Sequence, residues 1–187
     1  MKNGNIRLRY LNESDIDDYI RWTTIETEWN DWDAPWEKHD GIEFVERQRT
    51  ALNIVPGVFG KLEIDTSTGQ HIGWVSSYSI DGDSEKLAVG IDIPPIDARG
   101  KGNGFSALSL FMAYLSIRRD KSILYTQTWS GNIPMIHLAE KIGFQQIRRD
   151  RNSREVRGMR YDGLTFSILR DTFFELHGDY GQYKIFV

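Results

Sequence analysis

The 187-residue sequence predicts a mixed α/β fold, in which a central, mostly antiparallel sheet is flanked by helices and residues 1–187 form one domain. Three observations predict it. Short runs of apolar and β-branched residues recur, segments with helical spacing lie between them, and a meander of three such runs precedes two strand-to-helix crossovers. The length is enough for one sizeable core, and no internal repeat, low-complexity tract or linker divides it.

Ile6 to Leu11 alternates apolar and polar and reads as a half-buried strand. Asn12-Glu-Ser-Asp then supplies capping residues before Ile16, Tyr19 and Ile20 fall on one helical face. The Trp-rich stretch Glu28 to Glu37 has no clean period and reads as a loop, and Gly41 to Leu52 resumes a helix on Phe44, Val45 and Leu52. Gly57 to Ile64, His71 to Ile80 and Lys86 to Ile93 read as a meander, with turns at Asp65 to Gly69 and Asp81 to Ser84. Phe105, Leu108, Phe111, Met112 and Leu115 then mark a helix running as far as Asp120. Ser122 to Trp129 reads as a strand, and Asn132 to Ile142 as a helix stopped by Gly143. Extended structure resumes at Phe144, with a last strand over Tyr161 to Leu169, a short helix over Arg170 to Leu176 and a tail from Gly178.

Charge and composition narrow the function classes. With 23 Lys and Arg against 27 Asp and Glu, the net charge is −4, which argues against a nucleic-acid partner. The absence of cysteine excludes a disulfide framework, a thiolate nucleophile and a cysteine-ligated metal, and fits a cytoplasmic setting. No run is long and apolar enough to suit a signal peptide or a membrane span. His39, His71 and His137 are isolated and, like the fourth histidine, read as structural or surface residues; no metal is expected, because no pair has ligand spacing with a carboxylate partner. Six Trp point to a packed core or an aromatic-lined pocket.

The segment richest in chemistry is Ile91 to Gly104, where a strand feeds Gly100, Gly102 and Gly104 into a helix start. Glycines there let successive N–H groups face an anion, and the helix N-terminus adds free donors and the positive end of its dipole. A nucleotide P-loop fails because Lys101 precedes Gly102 with Asn103 next, and a dinucleotide fingerprint counted from Gly100 ends on Phe105. What remains is Arg-x-x-Gly-x-Gly, satisfied by Arg99, Gly102 and Gly104.

That loop resembles the acyl-CoA pyrophosphate loop of the GNAT acetyltransferase superfamily. The resemblance extends to Val89-Gly-Ile-Asp-Ile93, to Tyr125 to Trp129, and to Asn132 followed by Glu140-Lys-Ile-Gly-Phe144. Tyr161 to Arg170 is similar to the closing strand of the branch holding ribosomal-protein alanine and small-amine acetyltransferases, so about residues 5 to 176 are covered. The resemblance implies a GNAT-like fold and an acetyl-CoA-dependent N-acetyltransferase, in which a primary amine, either a small cationic amine or a protein N-terminus, attacks directly in a ternary complex. It implies acetyl-CoA as cosubstrate, and a homodimer as one assembly that such proteins adopt.

By resemblance, backbone groups of Ile91 and Ile93 would meet the pantetheine arm, and Arg99, Gly100, Lys101, Gly102, Asn103 and Gly104 would hold pyrophosphate. Asn132 would either reach the pantetheine or cap its own helix. The family's usual Tyr acid falls on Ala139, and a Ser that relatives carry falls on Met135. Either another group or water protonates the departing sulfur, or catalysis is impaired; these departures keep open a CoA-binding or sensory module as the second reading. For the base, Asp92 in the cofactor-facing strand comes first and Glu63 second, and Tyr78 is a further candidate to face the acceptor.

Asp31, Trp32 and Asp33 are assigned to the acceptor, as an aromatic and acidic lid for a cationic amine. The competing reading is that Trp29, Trp32 and Trp36 pin a loop to the core. Residues 148 to 160 hold six arginines, Arg148, Arg149, Arg151, Arg154, Arg157 and Arg160, against Asp150 and Glu155. This run reads first as the solvated face of a hairpin; the other readings are RNA, an acidic peptide or the CoA 3′-phosphate.

Overall fold

The structure is a computed structural model, which describes residues 2–3, 5–37, 40–53, 60–118 and 120–178. His39, the expected strand start at Gly57 and the tail after Gly178 lie outside the described residues. Among the described residues, eight strands form one sheet in the order β1-β2-β3-β4-β5-β6-β8-β7. In chain order they are β1 (Lys2–Asn3), β2 (Ile6–Arg9), β3 (Lys61–Thr66), β4 (His71–Ile80), β5 (Asp83–Asp92), β6 (Ile123–Trp129), β7 (Gln145–Val156) and β8 (Met159–Leu169). The helices are α1 (Asp15–Thr24), α2 (Gly41–Ala51), α3 (Asn103–Arg118), α4 (Ile133–Ile142) and α5 (Arg170–Leu176).

Every pairing is antiparallel except β5 with β6, which α3 joins as a crossover connection. The meander is as expected, with one shift. Asp81 and Gly82 take φ of 51° and 75°, a two-residue turn, so β5 begins at Asp83 and the expected four-residue turn is shorter. The Trp-rich stretch, expected as loop, contains a short 3-10 helix over Thr27–Asp31.

Side chains alternate across the sheet, so neighbouring residues of one strand serve different cores. Val75, Leu62 and Val89 join the main core, beneath α3, α4 and α5. Trp74 turns the other way and packs with Ile16, Tyr19, Trp22, Trp29 and Val45 beneath α1 and α2. Ten of the sixteen residues of α3 are buried, so it lies within the protein instead of presenting one wet face.

The α1 and α2 face also buries a charged network that has no apolar period to announce it. Arg9 donates to both oxygens of Asp15 at 2.6 and 2.7 Å and to Asp65 at 2.7 Å. His71 places Nδ1 2.9 Å from Asp18 and Nε2 3.0 Å from Glu63, which also accepts the Tyr19 hydroxyl at 2.7 Å. Buried charges are tolerated when paired in this way. Asp15, Asp18 and His71 bring ligand atoms within 4.8 Å of one another, a grouping that sequence spacing did not reveal, yet Arg9 already occupies both Asp15 oxygens.

Candidate active site

Strands β5 and β6 share a single bridging pair, Ala88 with Tyr125, and the Thr126 hydroxyl donates to the Val89 carbonyl at 2.9 Å. Beyond that point they part, and a cavity of about 540 Å³ opens between them. It is bordered by Gly90 to Ile93 of β5 and by Gln127 to Trp129 of β6. Because the Val89 carbonyl faces β6, the pleat turns the N–H and C=O of Ile91 the same way, into the gap. Gly73 fixes the far side of this strand, since a Cβ there would stand 2.0 Å from the Asp92 carbonyl oxygen.

The glycine loop caps one end of the gap. Gly100 and Gly102 have φ of 71° and 82°, with open space where a Cβ would stand. Among the described residues, none of the backbone N–H groups from Gly100 to Gly104 meets a backbone acceptor outside the helix, which leaves a row of donors at the start of α3. That row, beside the open gap, fits a diphosphate joined to an extended arm. Asn103 ties the loop down by donating to the Ala98 carbonyl at 3.0 Å.

The segment after α1 forms the opposite wall. Trp29 is buried and donates to the Trp22 carbonyl at 2.9 Å, and with Trp32 and Trp36 it borders the cavity. The Trp32 carbonyl accepts from Trp129 and from Asn132, each at 3.0 Å. Asn132 also accepts from the Met135 N–H at 3.0 Å, so one side chain both caps α4 and anchors the wall.

Asp92 borders the cavity on the α1 and α2 face, and burial raises its pKa well above the ordinary 3.8, with the nearby Asp33 charge adding to the effect. Lys61, the Trp74 indole and Arg99 act in the other direction. Lys61 is itself lowered to about 8 by burial; its Nζ donates to Gln48 at 2.7 Å and lies 4.4 Å from the ring centres of Tyr19 and Trp74. Tyr78 reaches from β4 across Gly90, where a Cβ would lie 3.9 Å from its ring. Burial together with Asp33 pushes its pKa up to about 12, with the Gln127 backbone acting in the other direction.

The sequence profile of the acetyltransferase (GNAT) domain matches residues 5–145. The chain belongs to the GNAT acetyltransferase family. No curated protein sequence matches it. Among solved structures, similar folds include a spermidine N-acetyltransferase from Vibrio cholerae in complex with CoA and spermine, at 17% identity and TM-score 0.75, covering 92% of this chain and 99% of that one. A GCN5-related N-acetyltransferase from Brucella melitensis has 21% identity and TM-score 0.72, covering 96% and 82%. A ribosomal-protein-S5-alanine acetyltransferase from Vibrio fischeri has 14% identity and TM-score 0.73, covering 92% and 97%.

In this GNAT domain the expected site residues divide. Asp92, Ile91, Ile93, Arg99, Gly104, Asn132, Trp32 and Asp33 all border the cavity, and Gly100, Lys101, Gly102 and Asn103 form the loop at its end. Asp31 does not border it: the side chain is held by Arg157, outside the wall. Arg99 is no free anion receptor, because its N–H bonds Ile96 at 3.1 Å and its guanidinium holds the Ile93 and Pro94 carbonyls, each at 2.7 Å, and Glu28 at 2.5 Å. Glu63 is sealed between Tyr19 and His71, away from the cavity. Ala139 is enclosed in the main core and offers no proton. The arginine run lies along the exposed β7–β8 hairpin, but Arg154 turns into the cavity mouth. Sequence reasoning missed the parts played by Trp74 and Lys61: Lys61 alternates with Glu63 along β3, but only strand register sets Trp74 opposite Glu63 and Asp92.

Proposed function

We propose that this GNAT domain transfers the acetyl group of acetyl-CoA to a primary amine by direct attack within a ternary complex. The observation that carries the reading is the parting of β5 and β6 after Ala88 and Tyr125, opposite the donor row from Gly100 to Gly104. The loop amides and the α3 N-terminus would hold the diphosphate, and the gap would take the pantetheine arm. When bound, acetyl-CoA supplies the activated acyl group. The Ile91 N–H is a preset donor for the acyl oxygen, on which charge develops as the amine adds.

Pleat alternation puts Asp92 and Tyr78 on the face opposite the Ile91 and Ile93 side chains, so the acceptor enters from the α1 and α2 side. Asp33 draws in the ammonium and Trp32 covers it. Asp92 takes the proton that the amine must lose, and its raised pKa suits a base working nearer neutrality than an ordinary carboxylate. Tyr78 keeps a proton at the gap for the departing sulfur, which Ala139 lacks. The polyamine and ribosomal-protein acceptors named for similar folds favour both kinds of amine as candidates. The reading includes a cytoplasmic setting; no helix among the described residues is long and apolar enough to cross a membrane.

A thermal-shift titration with acetyl-CoA, followed by CoA release across a panel of primary amines, tests the proposal. At about a hundred times its Kd, acetyl-CoA adds roughly 2.7 kcal/mol to stability. No shift defeats the reading. A shift with no release from any amine instead supports the non-catalytic CoA-binding module that Ala139 and Met135 keep open.

A further inference from the structure

The acceptor side of the cavity carries charges of both signs. Asp33 and Asp92 are close enough for the Asp33 charge to act on Asp92, and the Arg154 guanidinium lies 4.7 Å from the Trp36 ring centre. Trp32, Trp36, Tyr78 and Trp129 border the same cavity. Of the six hairpin arginines, four are already matched: Arg148 with Asp150, Arg149 with Asp162, Arg157 with Asp31 and Arg160 with Glu155. Arg151 and Arg154 stand in no ion pair among the described residues, and of these two only Arg154 borders the cavity. The other carboxylates at this rim do not neutralise it, since Asp150 is held by Arg148 at 2.9 Å and Glu37 makes no ion pair with it.

A guanidinium stacked on an indole keeps its N–H edge free and loses little freedom when it grips a carboxylate through two parallel hydrogen bonds. We infer that Arg154 is the receptor for a carboxylate on the acceptor, so that the preferred substrates are primary amines that carry an anionic group beyond an aromatic or apolar body. This rests on the acetyltransferase reading above and narrows its acceptor. The ammonium lies at Asp33 and Asp92, the apolar body crosses the Trp and Tyr rings, and the carboxylate meets Arg154. A polyamine, cationic at both ends, meets repulsion at the rim.

Matched pairs that differ by one carboxylate remote from the amine test this: 4-(aminomethyl)benzoate against benzylamine, and a short peptide with glutamate at its second position against the same peptide with glutamine. The small-molecule and peptide pairs distinguish a free amino acid from a protein N-terminus as the source of the same chemistry. In at least one pair the anionic member has a kcat/KM about tenfold to a hundredfold higher. Arg154→Gln brings that ratio toward one while the acetyl-CoA KM stays the same, Arg154→Lys restores part of it, and Arg151→Gln leaves it intact. Equal or better turnover of the neutral members, or an equal loss for both members in Arg154→Gln, overturns the proposal. Calorimetric binding of the same pairs to the CoA-loaded protein separates the two readings. If nothing turns over, the acetyltransferase reading falls, yet selective binding of the anionic members that is lost in Arg154→Gln still upholds the receptor, and its absence removes it.

Discussion

Trp74 and Asp92 face each other across the β4–β5 ladder at the edge of the gap where β5 leaves β6, and the indole is one of the groups that act against the burial of the Asp92 carboxyl. The pair joins the aromatic core under α1 and α2 to the cavity. It positions a carboxyl group whose pKa burial raises well above the ordinary 3.8.

Replacing that carboxyl separates activity from stability. Asp92→Asn lowers kcat by about 10²- to 10⁴-fold and removes the acidic limb of the pH–rate profile, which in the native protein lies well above pH 3.8. The folded state holds the Asp92 proton more tightly than the unfolded chain, so a stability penalty grows as pH rises from about 3.8 through the raised pKa. Asn carries no such penalty. Urea unfolding at pH 8 should therefore find the variant no less stable than the native protein, and a clear loss of stability would contradict this account.

His71 works in the opposite sense. With carboxylates at both ring nitrogens, its pKa lies above the ordinary 6.5, chiefly through Glu63 acting against the cost of burial. Its stabilisation is full below about pH 6.5 and lost as pH rises through the folded-state value. His71→Gln should flatten the pH dependence of stability over this window, as followed by denaturant midpoints.

In the glycine loop, Gly102→Ala places a Cβ where φ is 82°. Holding that conformation costs about 1–2 kcal/mol, and escaping it turns the adjacent amides away from the anion. Acetyl-CoA affinity measured by calorimetry should fall about tenfold with little change in acceptor KM. Unaltered affinity would remove the loop from the site.

Asn132→Ala loses a helix cap, worth about 1 kcal/mol, and frees one of the two bonds on the Trp32 carbonyl. Acceptor KM should rise alongside a lower Tm. A fall in Tm alone would mark Asn132 as a cap with no influence on the wall.

The two lid aspartates should behave differently. Asp33→Asn raises acceptor KM several-fold, because Asp33 borders the cavity, whereas Asp31→Asn leaves it within error, because Asp31 is spent on Arg157. Equal effects from the two would return both to the wall.

The order of strands and helices was legible in the sequence, because period-2 and helical patterning, the caps at Asn132 and Gly143 and the glycines before α3 are local properties. So was the loop from Gly100 to Gly104, whose backbone freedom depends on residue type alone. Which charges meet was not legible. Arg9 reaches Asp65, Arg99 reaches Glu28, Arg157 reaches Asp31 and Arg154 reaches Trp36 across large sequence separations, and only strand register and loop docking bring them together. The parting of β5 from β6 is likewise a tertiary fact, since the same apolar residues could have continued the ladder. Local chemistry thus set the elements and the anion loop, while packing decided which carboxylates lie in the cavity and which are used up elsewhere.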